Sequence, residues 1–208
     1  MYLPPHFRED RPEVLRQLMA DFPLAALVTL GSDGLAANHV PLLYDAERGT
    51  LNGHLSRANS QWQDCRQDMD ALAIFQGPQA YISPNWYPTK AEHGRAVPTW
   101  NYAVVHAHGR LSVYTEPERL REFLDRLTAR HEASQPKPWA PADAPPGYIA
   151  GLLKAIVGIE IEVTRLEGKW KVSQNQPAEN RAGAADGLAS IGENAMAERI
   201  RTAMMDQN

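Results

Sequence analysis

The chain of 208 residues contains one cysteine, Cys65, and a lone thiol cannot close an internal disulfide. That excludes a disulfide-stapled secreted scaffold, and without a C-x-x-C pair Cys65 reads as a small buried hydrophobe. Long apolar runs are also missing. The longest are strand-length, far short of the roughly 20 residues a membrane helix needs. Positive charge is not in excess either: 21 Lys and Arg stand against 25 Asp and Glu, a net charge of −4. The chain as a whole therefore offers little to a nucleic-acid backbone, and direct DNA binding would need a local patch or a dimer groove. The opening MYLPPHFRED shows no basic end followed by an apolar stretch, so the cytoplasm is the expected compartment. No G-x-S-x-G elbow, H-E-x-x-H or Walker loop is present.

What the sequence has is a globular composition, 43% hydrophobic and 22% charged, with 16 prolines to fix loops. Its length suits one main domain with appendages. Asp10 to Glu13 reads as a capping box opening a helix with Val14, Leu15, Leu18 and Met19 on one face, ending near Pro23. LAALVTL, LAANHVPLLY and TLNGHL then follow as strand-like runs, joined by turns at 31–34 and 45–49. These suggest an antiparallel meander. A short helix is expected over 56–67 and a strand over 71–75.

From Trp100 to Tyr114 the odd positions Ala103, Val105, Ala107, Leu111 and Val113 are apolar, and the even positions carry Tyr102, His106, His108 and Arg110. That period of two puts one face in a core. Thr115 to Glu118 reads as a second capping box, before a helix with the stripe Leu120, Phe123, Leu124 and Leu127. A proline-rich loop spans 136–147. Residues 157–163 alternate as a strand, and Glu167-Gly168 reads as a turn into a second strand, KWKVS. Residues 182–189 read as Ala/Gly-rich low complexity, and Ser190 to Glu193 as the start of a last helix carrying Met196, Ile200 and Met204. Many short strands with two or three flanking helices and no βαβ rhythm indicate a mainly β fold, a small barrel.

Residues 76–109 hold five aromatics, four prolines and three histidines. A stiff aromatic loop leading into a strand suits a flat ligand or a partner subunit. The segment His54-Leu-Ser56-Arg57-Ala-Asn59-Ser-Gln61-Trp62 follows a strand and enters a helix, where a hydroxyl, a guanidinium and an amide can bind phosphate. The same spacing also suits an ordinary solvated cap. Asn38 and His39 interrupt an apolar strand just before Pro41, which points to a sheet edge or a bulge. His106-Ala-His108 puts two imidazoles on one strand face with no carboxylate cluster nearby in sequence, so structural or pocket-lining histidines are expected and no metal.

HLSRANSQW, GPQAYISPNWY, VPTWNY…VHAHG and GKWKVSQNQP, in this order and spacing, resemble the PaiB family of FMN-binding split-barrel proteins, described as negative transcriptional regulators. The resemblance covers nearly the whole chain. It departs at Ser60, where the family commonly carries proline. It implies an FMN-binding split β-barrel of antiparallel Greek-key type, related to pyridoxine-phosphate oxidases and flavin reductases, and a homodimer with FMN at the subunit interface. Under it, Ser56, Arg57 and Asn59 face the ribityl phosphate, with His54 on the strand leading there. Asn38, His39, Val40 and Pro41 run beside the isoalloxazine. Trp100, Asn101 and Tyr102 flank the ring, with Ser173 and Gln174 as further candidates. The barrel domain is expected over 1–174, with a helical appendage over 175–208. Function stays open between a flavin-dependent regulator, an FMN-dependent oxidoreductase and a dimeric interaction module with an empty pocket; no residue is assigned as catalytic.

Overall fold

The computed structural model describes residues 1–66 and 69–205. Gln67 of the expected 56–67 helix, and residues 206–208 of the expected appendage, lie outside them. The chain forms two compact units: a first of Met1–Asp21, Gln76–His106 and Glu167–Asn208, and a second of Phe22–Phe75 and Ala107–Leu166.

The second unit carries most of the sheet. Its strands are β2 (Leu24–Gly31), β3 (Gly34–Pro41), β4 (Leu43–Asp45) and β5 (Thr50–Ser56), with parts of β6 (Ala71–Ile82), β7 (Thr99–Tyr114) and β8 (Ile156–Lys171). They lie in the order β3-β2-β6-β7-β8-β5-β4. β2 and β3 form a tight antiparallel hairpin, Gly31 opposite Gly34, closed by Ser32 and Asp33 as the 31–34 spacing predicts. At the 45–49 turn the Asp45 carboxylate accepts the backbone N–H groups of Glu47 and Arg48, each at 3.1 Å, a local bond that only a short acidic side chain makes well. The expected run LAANHVPLLY breaks at Leu42, whose N–H turns to the Pro23 carbonyl at 2.9 Å. Phe75, Phe123, Leu27, Leu51, Ile159 and Ile161 are fully buried, each stabilising by about 1.5–3 kcal/mol.

The alternation read in β7 holds from Ala103 to Leu111, except that Val104 is buried too, and it fails at the end, where Val113 is half-buried and Tyr114 buried. Ala103, Val105, Ala107 and Leu111 are buried, whereas Tyr102, His106 and His108 are half-buried and Arg110 is exposed. The stripe of α4 (Pro117–Glu132) likewise buries Leu120 and Phe123. Its capping box does not form: Glu116 occupies the cap position, and its own carboxylate takes the Thr115 N–H at 3.0 Å. Among the described residues of the expected 56–67 helix, only Gln61–Asp64 (α2) are helical. α5 (Tyr148–Leu153) follows the proline-rich loop.

In the first unit, α1 (Pro12–Asp21) buries Leu15, Leu18 and Met19. Asp10 does not cap it. The Asp10 carboxylate is held by Arg8 Nε at 2.7–2.8 Å, and Glu9 accepts the Arg11 N–H instead. Glu167-Gly168 is no turn either, because β8 runs through it without a break. β1 (Arg8–Glu9) pairs there, Glu9 opposite Gly168. A Cβ at Gly168 would meet the Glu9 carbonyl oxygen at 2.6 Å and Leu15, so this glycine admits a neighbouring chain and does not bend its own.

The Ala/Gly-rich stretch is a helix, α6 (Ala178–Ser190). Ser190 ends it by donating to the Gly187 carbonyl at 2.7 Å, and α7 begins four residues later (Asn194–Met205) with Met196 and Ile200 buried. The aromatic window is less loop-like than expected: β6 runs into it as far as Ile82, and a short 3-10 turn (Pro84–Trp86) and α3 (Lys90–His93) follow.

Candidate cofactor-binding site

In the second unit, β5 ends at Ser56 and the chain turns immediately into α2. Ser56 Oγ accepts the Ala58 N–H at 3.3 Å, and Asn59 Oδ1 accepts the Gln61 N–H at 2.9 Å. These short polar side chains therefore shape the turn itself. Arg57 lies across it, donating from Nε to the Lys154 carbonyl at 2.8 Å and from one terminal nitrogen to the Ile156 carbonyl at 3.0 Å. Two of its donor sites thus aim the guanidinium, leaving the other terminal nitrogen and the full charge for a ligand. Arg57, Lys154 and Thr115 line a cavity of about 450 Å³ whose remaining wall is Pro117, Ala150 and Leu153. Two cations and a hydroxyl on an apolar wall, with no carboxylate in the lining, are a donor set that fits a phosphate.

Asn38 joins this group. Its amide donates to Gln61 Oε1 at 2.8 Å, and Gln61, only 3% exposed, also donates to the Leu27 carbonyl at 3.0 Å and to Thr29 Oγ1 at 3.1 Å. Gln61 thereby ties the 56–59 turn to the β2–β3 hairpin. The sequence placed Gln61 in the candidate segment without giving it a role, and it did not mark Lys154 or Thr115 for the site. The signal for Gln61 lay in the Asn-x-Gln spacing at a helix start; nothing local marks Lys154.

Along β3, Asn38 and Val40 face inward, and Val40 is buried. His39 is exposed on the opposite face with Ala37 and Leu35, the last 80% exposed. Pro41 is half-buried opposite Leu24, and β3 ends the strand order, the edge that a ladder-breaking proline foretells. The exposed face continues through half-buried Ala26 and Val28 of β2 onto Ile74 and Leu72 of β6. It is a largely apolar sheet surface of exposed and half-buried side chains.

His54 does not line the Arg57 cavity. It is half-buried, its ring is 6.0 Å from that of Phe123, and its buried Nδ1 has no hydrogen-bond partner. Burial pushes its pKa below the ordinary 6.5. The folded protein therefore binds this proton less readily than the unfolded chain. Its contribution to stability is complete above about pH 6.5 and is lost as pH falls through the lowered folded value. Denaturant titrations at a series of pH values should show this decline in acid, and His54→Phe should flatten it.

In the first unit, Trp100 and Tyr102 share one face of β7, and Asn101 points to the other. Trp100 is 49% exposed, donates Nε1–H to Gln79 Oε1 at 3.0 Å and meets the Tyr81 ring edge-on at 6.2 Å. Asn101 is 1% exposed and donates to Ser173 Oγ at 2.8 Å, while its own Oδ1 is buried without a partner. Ser173 holds a left-handed φ of 67°, a strained conformation for a residue with a Cβ. Gln174 braces that bend, accepting the Val172 N–H at 2.8 Å. Lys169 Nζ stands 5.4 Å from the centre of the Tyr102 ring, and Lys171 donates to the Trp100 carbonyl at 2.7 Å. Burial lowers the Lys171 pKa. His106 and Glu167 bring potential ligand atoms within 4.8 Å of each other, a neighbour the sequence spacing did not reveal. The Glu167 carboxylate already accepts the N-terminal ammonium of Met1 at 3.0 Å.

Residues 1–165 match the model of the family described as "Putative FMN-binding domain". The chain belongs to this family. It is also 32% identical, over 85% of its length and 83% of the relative's, to the protease synthase and sporulation protein PAI 2 of Bacillus subtilis, so the PaiB resemblance is borne out. Among solved structures it is similar to one titled a "putative 5-nitroimidazole antibiotic resistance protein" from Bacteroides thetaiotaomicron, with a TM-score of 0.58, 9% identity and coverage of 78% of this chain and 85% of that one. A second is an FAD- and haem-binding protein from Mycobacterium smegmatis, with a TM-score of 0.55, 13% identity and coverage of 79% and 73%. The antiparallel split barrel with flanking helices is the fold shared with these structures. Among the described residues no helix is long and apolar enough to cross a membrane.

Proposed function

We propose that the protein is an FMN-binding, PaiB-type split-barrel regulator, in which bound flavin governs contacts with a partner. The observation that carries this reading is the cavity walled by Arg57, Lys154 and Thr115, set in a chain whose family is described by FMN binding. Arg57 and Lys154 hold the phosphate, and Ser56 and Asn59 fix the turn that presents Arg57. Asn38, His39, Val40 and Pro41 are the candidates for running beside the ring, and Trp100 and Tyr102 of a second copy of the chain for its flanks; Asn101, buried on the opposite face of β7 against Ser173, does not join them. When bound, FMN would supply one- and two-electron redox chemistry, and the protein its binding, orientation and electrostatics. The barrel domain over 1–174, the appendage over 175–208 and a cytoplasmic setting belong to the same proposal.

A second copy of the chain is the proposed occupant of the apolar face formed by β3, β2 and β6. Contiguous apolar surface of this kind is a common mark of an interface. Adding FMN to the purified protein should produce the two-band visible spectrum of bound flavin, and sedimentation should give the mass of a dimer. A protein that takes up no flavin overturns the reading. Turnover of reduced nicotinamide by the holoprotein would move it to the oxidoreductase class.

A further inference from the structure

A second cavity, of about 330 Å³, lies wholly within the first unit. Its polar wall holds three guanidinium groups: Arg8 and Arg11 from the segment entering α1, and Arg199 from α7. Two are already matched. Arg11 is bidentate to Glu9, at 2.9 and 2.7 Å, and Arg8 Nε meets Asp10. The Glu9 carboxylate, 9% exposed, also accepts the Arg11 N–H at 3.0 Å, so Arg11 already answers its charge from side chain and backbone. Arg199 is different. It is half-buried, and among the described residues no acidic side chain pairs with it. Thr202, three residues further along α7, also lines the cavity, because positions i and i+3 share a helix face. Val14, Ala203 and the largely buried Trp170 add apolar surface, and His6 and Gln174 add two further polar groups.

A concave site with one unmatched guanidinium, a neighbouring hydroxyl and an apolar floor is complementary to an anion that carries an apolar body. Its volume is at the lower end of the range for small-molecule pockets, roughly 300–1,000 Å³. We propose that this cavity binds a small organic oxyanion, with the anionic head on Arg199 and Thr202 and the apolar body against Val14 and Trp170. It shares no residue with the Arg57 cavity, and the proposed anion contacts do not use Gln174, the flavin candidate that also lines it.

The test uses the full-length protein with saturating FMN, which removes the Arg57 cavity as a competing anion site. Sodium benzoate, phenyl phosphate and sodium chloride are titrated at matched ionic strength while the Trp170 indole N–H resonance, assigned with Trp170→Phe, is followed by NMR. One or both organic anions should shift it saturably, and the one that does identifies the head group as carboxylate or phosphate. Arg199→Met, which keeps the packing stem, should weaken that binding at least about tenfold, or 1.4 kcal/mol, and Arg199→Lys should weaken it less. Thr202→Val, a milder change, should also reduce affinity. The proposal is overturned if neither organic anion exceeds chloride, or if folded Arg199→Met binds as tightly as the unmodified protein. Because the signal is read at Trp170, failure of flavin uptake would not mimic either result.

Discussion

Arg57→Ala should weaken FMN binding by about 1.5–3 kcal/mol, the worth of a hydrogen bond to a charged group, or roughly 10- to 150-fold in Kd. Quenching of flavin fluorescence on binding provides the measurement. The guanidinium is also anchored to the carbonyls of Lys154 and Ile156, so its removal both takes away a charge and releases the turn. Lys154→Met separates the two effects. It removes the second cation of the same cavity and leaves both Arg57 anchors in place, and it should cost less than Arg57→Ala. Unchanged affinity in both variants would take the phosphate out of this cavity.

Gly183→Ala is expected to destabilise the first unit, against the helix propensity that favours alanine over glycine by about 1 kcal/mol. A Cβ at Gly183 would lie well within van der Waals contact distance of the Trp86 carbonyl oxygen, and one at Gly187 well within that of the Trp86 indole ring atoms. The two glycines sit one helical turn apart and form the groove of α6 in which Trp86 lies. Nearby, Asn180 on the same helix donates to Thr89 Oγ1 at 2.9 Å. A backbone atom cannot swing aside as a flexible side chain can, so the clash should outweigh the propensity gain and leave a net loss of about 1–3 kcal/mol. Gly151 in α5 is the control, because a Cβ there meets nothing within 4 Å. Gly151→Ala should leave stability unchanged or slightly raised. Denaturation midpoints of the two variants would decide the matter, and equal effects would refute the packing argument.

The same glycines show where the sequence was legible. Alternation in β7 and the stripe of α4 were readable because burial repeats at the period of the element. The 31–34 and 45–49 turns were readable because their chemistry is local. Gly168 and the Gly183/Gly187 pair were misread because what selects glycine there is a neighbouring backbone or ring, brought close by pairings distant in sequence. The capping boxes failed for a related reason: Asp10 had a stronger partner in Arg8, and Glu116 satisfied the donor next to it. At the candidate site, Ser56, Arg57 and Asn59 could be read from one segment, whereas Lys154 reaches the cavity from the residue just past α5, after a proline-rich loop that carries no such pattern. Trp100 and Tyr102 were correctly placed together by parity, and the same parity separates Asn101 from them.

The first unit is assembled from three stretches of chain, the last of which includes α6 and α7. During synthesis, which proceeds from the N-terminus, the 84–86 turn leaves the ribosome well before the helix that receives Trp86. Until α6 emerges, the indole has no groove to occupy and Thr89 has no Asn180 to bond. Completion of this unit therefore waits for α6, and a nascent polypeptide stalled before residue 178 would present Trp86 to chaperones as exposed apolar surface.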